Sequence, residues 1–246
     1  DLPPEKVVAL AEEYDCQGIS YTYTEPTIFF EYAYDTAKLA HQHGLFNTFV
    51  TNGYMTSEAV ETIAPYLDAA TVDFKGGGDA KFYREICLVP SVEPIYECLK
   101  RMRERNIHIE ITNLVVSKYG ESMDSIRKLA AWVRENLGKG VPLHLLRFHP
   151  DYQLTDVPST PIRTIEEACE TAKKEGLDYV YAGNILGHRY ENTFCPRCGE
   201  LVVERTGFDI SRWRLKEGNT CPKCGERVAI KGVYKPRGGL YHYSVI

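Results

Sequence analysis

Six short segments rich in β-branched and aromatic residues recur through the first 190 positions, at 18–24, 46–51, 69–74, 107–116, 142–147 and 178–182. Helical patterns fill the spaces between them, at about 27–43, 57–65, 79–87, 92–105, 122–137 and 164–175. Glycines punctuate the joins, with Gly44, Gly53, Gly76 to Gly78, Gly120, Gly138 and Gly176 at ends rather than middles. Strand and helix in regular alternation predict parallel strands joined by crossover helices, hence an α/β fold.

The position of the polar residues bears on whether that sheet is open or closed. The G-x-G-x-x-G phosphate loop of a dinucleotide fold is absent after the first strand. Polar residues collect instead where successive strands end: Glu25, then Thr51-Asn52-Gly53, then Asp73 and Lys75, then Asn113, then Arg147 and His149. In barrel enzymes that rim carries the active site, so the expectation is a full or partial (β/α) barrel over residues 1–191. From 192 to 246 cysteine pairs, aromatics and glycines replace the helical patterns, which marks a second, smaller module.

Composition narrows the function classes. The 246 residues are 43% hydrophobic and 26% charged, enough for a full core. No apolar run reaches membrane-spanning length and no signal-like segment opens the chain. A net charge of −5 argues against a non-specific nucleic-acid binder. Cys16, Cys87, Cys98 and Cys169 are scattered through helical patterns and read as buried small hydrophobes in a reducing, cytoplasmic setting. The chain opens at Asp1 on a helix entrance, "DLPPEKVVALAEEY", which predicts a truncated or processed form.

Three constellations carry chemistry. "CPRCG" and "CPKCG" place Cys195, Cys198, Cys221 and Cys224 as two C-x2-C pairs separated by 22 residues. Four thiolates with no open position make a structural site, zinc first and iron as a substitute. In "ATVDFKGGG", Asp73 and Lys75 share one face of a strand, either as ligand contacts or as an internal salt bridge. The glycine triplet behind them could cradle an anion or simply turn. Arg147 and His149 share a strand end, with ligand contact and structural hydrogen bonding both open. His41 and His43 sit at a helix C-terminus, where they suit the dipole and need no catalytic role.

The segments "YTYTEPTIFFEYAYDTAKLA", "FVTNGYMT", "YLDAATVDFKG", "LLRFHPDY", "DYVYAGNILGH" and "ENTFCPRCGELVV" follow one another in an order that resembles radical S-adenosylmethionine (SAM) enzymes. The likeness is to the branch of pyruvate formate-lyase activating enzymes, and specifically to the radical SAM member of the AmmeMemoRadiSam system. The resemblance implies a partial barrel lacking its first strand, followed by a zinc ribbon. It implies that Glu25 holds the methionine ammonium of SAM, that Asp73 and Lys75 contact its ribose and carboxylate, and that His149 lies near the ribose. Asn52 falls in the matching turn after the family's third strand. Memo-like and AMMECR-like proteins are the partners it implies, with a protein or small molecule as substrate. Thr24 stands in place of an amide side chain, and Gly76 to Gly78 in place of a bulkier turn.

The family's C-x3-C-x2-C is missing. That triplet holds a [4Fe–4S] cluster whose fourth iron binds SAM and delivers the electron that cleaves it to a 5′-deoxyadenosyl radical. The expectation is therefore a radical SAM oxidoreductase, glycyl-radical-activase-like, whose present 246 residues are inactive as they stand. Two other classes compete: a Schiff-base lyase with Lys75 as nucleophile, and a metal-stapled binding scaffold. The scaffold would use a tail in which Lys235 and Arg237 mix with Tyr234, Tyr241 and Tyr243.

Overall fold

The computed structural model describes residues 2–232 and Tyr234. Strands β1 (Gly18–Tyr21), β2 (Phe46–Thr51), β3 (Ala69–Lys75), β4 (His108–Val115), β5 (Leu143–Arg147) and β6 (Val180–Gly183) pair in that order, every neighbour parallel. Helices α1 (Pro4–Glu13), α2 (Phe30–Gln42), α3 (Ser57–Ile63), α4 (Ala80–Glu85), α5 (Glu93–Glu104), α6 (Met123–Asn136) and α7 (Ile162–Lys174) precede and connect them. Right-handed crossovers that always step to the next strand leave all their helices on one face of the sheet.

Burial alternates along the strands accordingly. Phe49, Val72, Phe74, Ile111, Leu143 and Leu145 are wholly buried toward the helices, each worth about 1.5–3 kcal/mol of apolar transfer. The opposite face carries Thr48, Thr71, Asp73, Lys75, His108, Glu110, Thr112, His144 and Tyr181, all partly covered. A doubly wound sheet would bury both faces under helices; here one face is the polar interior of a partial (β/α) barrel.

One buried polar residue pins the helical side. Asn47 donates to the carbonyls of Ala37 at 3.0 Å and Tyr66 at 2.9 Å, and its oxygen accepts from the Tyr21 hydroxyl at 3.0 Å. It thereby joins β1, β2, α2 and the loop before β3 in one network.

Strand β1 stops at Tyr21, three residues before the expected end at 24. Its pairing with β2 ends at Tyr21 opposite Phe49. The chain then leaves the sheet, with Tyr23 92% exposed, and brings Glu25 back against the end of β2.

A second sheet begins at residue 193: β7 (Thr193–Phe194), β8 (Leu201–Thr206) and β9 (Asp209–Trp213), antiparallel in sequence order. Its small core of Val202, Val203, Leu215 and Val228 takes in Tyr179 from the end of the barrel. The Tyr179 hydroxyl accepts from the Ala229 amide at 2.9 Å, which docks this ribbon against β6. Tyr234 stacks on Trp213 at 5.0 Å; Lys235, Arg237, Tyr241 and Tyr243 lie outside the described residues. Among the described residues, no helix is long and apolar enough to cross a membrane.

Candidate functional site

Glu25 is 6% exposed, and four donors hold its carboxylate. Oε1 accepts from the Thr51 hydroxyl at 2.7 Å, the Thr27 hydroxyl at 3.1 Å and the Thr27 amide at 3.3 Å. Oε2 accepts from the Asn52 amide alone, at 2.7 Å, which leaves it room for one further donor. Asn52 is brought to Glu25 through its backbone, while its side-chain oxygen closes the turn on the Tyr54 amide at 2.8 Å.

At the end of β3, Lys75 Nζ lies 3.7 Å from Asp73 Oδ2 on the concave face. The other oxygen of Asp73 accepts from Thr112 on β4. The salt bridge and the outward-facing pair are therefore both present, with the Asp73 and Lys75 side chains 33% and 41% exposed. His149 lies beyond β5 as an exposed residue, and among the described residues it makes no hydrogen bond to the other four. Its neighbour Arg147 donates to the Thr160 carbonyl at 2.7 Å, a structural use.

The glycine triplet is also structural. Gly77 has φ +69°, and a Cβ there would sit 2.8 Å from the Ser125 side chain and 2.9 Å from its backbone. The Gly77 amide donates to Asn113 Oδ1 at 2.7 Å. Asn113 thus points to the helical side of β4, where it holds this turn, and not into the rim.

The concave face holds a cluster that the strand-end reading passed over. Glu110 accepts from His144 Nε2 at 2.7 Å and His108 Nε2 at 3.3 Å. Burial opposes charge on Glu110, but the hydrogen bonds from the two imidazoles outweigh it and hold the carboxyl well below its usual range. His144 stacks on Tyr181 with ring centroids 4.9 Å apart. The signal was visible in "HIEIT", where His108, Glu110 and Thr112 recur with the period of a strand face; attention to strand ends missed it.

The four ribbon cysteines gather their sulfurs within 4.8 Å of one another. Cys195 Sγ is 3.6 Å from Cys224 Sγ, and Cys198 Sγ is 3.7 Å from Cys221 Sγ. Zinc–sulfur bonds of about 2.3 Å in a tetrahedron require sulfur separations of roughly 3.8 Å, so the donor set fits zinc. The two knuckles match, with Gly199 N–H to Cys195 O at 2.9 Å and Gly225 N–H to Cys221 O at 3.0 Å. Burial raises the Cys221 thiol, but the amides of Cys224 and Lys223 and the facing thiols bring it down to about 7.

Sequential parallel strands, with all crossover helices on one face, place the molecule among the partial (β/α) barrels. Within that class sequence decides the family: residues 1–133 match the radical SAM superfamily, and the chain belongs to it. An uncharacterized protein of Methanocaldococcus jannaschii is 46% identical over 209 residues, which are 85% of this chain and 61% of that protein. The chain therefore spans about three-fifths of this curated relative.

Two solved structures share the fold at low identity. A domain of pyruvate-formate lyase-activating enzyme from Bacteroides vulgatus superposes with a TM-score of 0.59 and 18% identity, over 68% of this chain and 99% of that one. Streptococcus suis SuiB bound to S-adenosylmethionine gives 0.60 and 15%, over 79% and 47%.

Proposed function

We propose that this chain is the SAM-binding barrel and ribbon of a radical SAM oxidoreductase of the AmmeMemoRadiSam type, glycyl-radical-activase-like in its chemistry. The observation that carries the reading is Glu25: a buried carboxylate at a strand end, fixed by two hydroxyls and two amides, with one acceptor position left on Oε2. A buried anion of this kind suits an ammonium. Asp73 and Lys75, two strands along the same rim, offer complementary charges to a ribose and a carboxylate, with Asn52 and His149 completing the set. SAM bound at these residues would supply radical chemistry once given an electron from outside this chain; Glu25 would hold its ammonium, and Asp73 and Lys75 its ribose and carboxylate.

A [4Fe–4S] cluster does not fit the thiols of this sequence. Of the four scattered cysteines expected to be buried, Cys98 and Cys169 are, but Cys16 is exposed and Cys87 half-buried, because both lie in loops at helix ends; the ribbon cysteines are the group that could hold a metal among the described residues. Without thiolates to hold a cluster, the 246 residues alone are inactive in radical chemistry. The substrate is a protein or small molecule, the partners Memo-like and AMMECR-like proteins, and the setting cytoplasmic. The Schiff-base reading is weaker: Lys75 pairs with Asp73 and is 41% exposed, so it has neither the burial nor the cationic neighbour that prepares a nucleophilic lysine.

Calorimetric titration with SAM tests the proposal, using wild type, Glu25→Ala, Asp73→Asn and Lys75→Met. Saturable binding weakened at least tenfold in Glu25→Ala and in one of the half-exposed rim variants supports it. Binding indifferent to all three, or none detectable by wild type at millimolar SAM, overturns it.

A further inference from the structure

A cavity of about 1110 Å³ separates the concave face of the barrel from the ribbon. Thr71, Thr112, Leu146 and Tyr181 line it from the barrel, Arg205 and Phe208 from the ribbon. It begins one step from the rim, because Thr112 both lines it and donates to Asp73. A molecule in this space would lie directly beneath the residues proposed to hold SAM.

The charges on its walls are unequally satisfied. Three carboxylates and two cations, Arg205 and Lys231, face it, and each carboxylate is already hydrogen-bonded. Asp68 accepts from the Asn47 amide at 2.8 Å. Glu110 is bonded by His108 and His144. Glu191 accepts from the amides of Gly187 at 2.7 Å and Gly207 at 3.0 Å. Arg205, by contrast, uses only Nη1, which donates to Thr193 Oγ1 at 2.7 Å and the Glu191 carbonyl at 3.2 Å. Among the described residues no carboxylate pairs with it, and its remaining N–H donors make no protein hydrogen bond. A half-buried guanidinium whose neutral acceptors occupy only one nitrogen keeps donors free for a direct, bidentate contact with an anionic group, while Asp68 and Glu191, also held by neutral amides, confine an anion to the Arg205 side of the cavity.

Most of the remaining wall area is apolar. The Tyr181 ring stacks on His144 and lies 5.8 Å under the Arg205 guanidinium. Phe208, 101% exposed, and Leu186, 80% exposed, both line it, and Leu186 reaches to within 3.1 Å of where a Cβ on Gly207 would stand. Exposed apolar groups around a concave opening with few convergent polar groups are the usual architecture of a small-molecule site.

We propose that this cavity binds a small organic anion with a flat apolar body, recognised by Arg205 from the ribbon and by the His144–Tyr181 stack from the barrel. In this inference, which rests on the proposed function for its consequence but not for the binding itself, that molecule is the substrate. The ribbon is then a wall of the substrate chamber and not only a staple.

Two fluorescent probes that share an aromatic body and differ by one sulfonate test it: 8-anilinonaphthalene-1-sulfonate and its uncharged counterpart N-phenyl-1-naphthylamine. With zinc-loaded protein the sulfonate is expected to occupy one site per chain at least tenfold more tightly than the amine. Arg205→Gln should erase that preference while leaving the amine unchanged, with zinc content and thermal midpoint as controls of folding. Equal affinity of the two probes for wild type overturns the proposal, as does a folded Arg205→Gln protein that keeps the preference; if that variant loses zinc, the wild-type comparison alone decides. Neither probe requires SAM, so a failed SAM titration leaves this result standing. Retained SAM affinity beside a lost probe preference would equally spare the functional reading.

Discussion

The Asn52 amide donates to Glu25 Oε2 at 2.7 Å, tying the turn after β2 to the residue that follows β1. Thr51 reinforces the tie from the next position at 2.7 Å. Two strand ends are thus joined by a side chain beyond the last backbone pair, and the same carboxylate keeps an acceptor position for a ligand. Fold and candidate site share this atom pair.

Glu25→Gln should therefore cost stability as well as affinity. An amide cannot accept on both of its heavy atoms, so one set of donors, at Asn52 or at Thr51 and Thr27, meets an NH2. Leaving a buried donor unmatched costs about 1–3 kcal/mol, expected as a lowered urea midpoint with unchanged slope. An unaltered midpoint would show that these bonds are not formed.

Gly77→Ala should destabilise more than Gly187→Ala. Both glycines have positive φ, at +69° and +75°, so both variants bear the left-handed cost of about 1–2 kcal/mol. Only Gly77 meets α6, with the Ser125 backbone 2.9 Å from the added carbon. Thermal denaturation of the two variants checks the order. Equal losses would remove the close approach of the glycine turn to α6.

Acid stability should depend on Glu110. Its folded-state pKa is depressed below the ordinary value of 4.5 because the bonds from His108 and His144 outweigh burial. The stabilisation is thus complete above that value and is lost as pH falls below it, where the unfolded chain takes up a proton that the folded chain refuses. Between pH of about 5 and about 3, chemical denaturation should show a shallower fall in Glu110→Gln than in wild type. Parallel slopes would contradict the triad.

Chelation should release the ribbon. Removing zinc, or substituting Cys195→Ser, is expected to expose four thiols to titration (three in the variant) and abolish the stoichiometric metal. Tyr179, whose hydroxyl accepts from Ala229, should become more exposed and raise the ribbon-side tyrosine signal. Thiols that stay protected after zinc is gone would argue for a fold that does not need the metal.

Much of this was legible in residue order. The strand segments, the helices between them and the two cysteine knuckles all lie within a few residues of expectation, because hydrophobic period and metal-ligand spacing are local properties of a chain. That Glu25, Asp73 and Lys75 lie near strand ends was legible for the same local reason. What the order of residues could not show was orientation and partnership across the sheet. Asn113 and Arg147 lie at strand ends like the others, yet they bond Gly77 and Thr160. Glu110 looked like any strand carboxylate until parallel register set it near His144, and Arg205 became part of a chamber wall only when Tyr179 docked the ribbon on β6. Periodicity assigns a side chain to a face; which groups meet across that face, and what is left unpaired, is settled by register and docking, which depend on contacts between residues far apart in sequence.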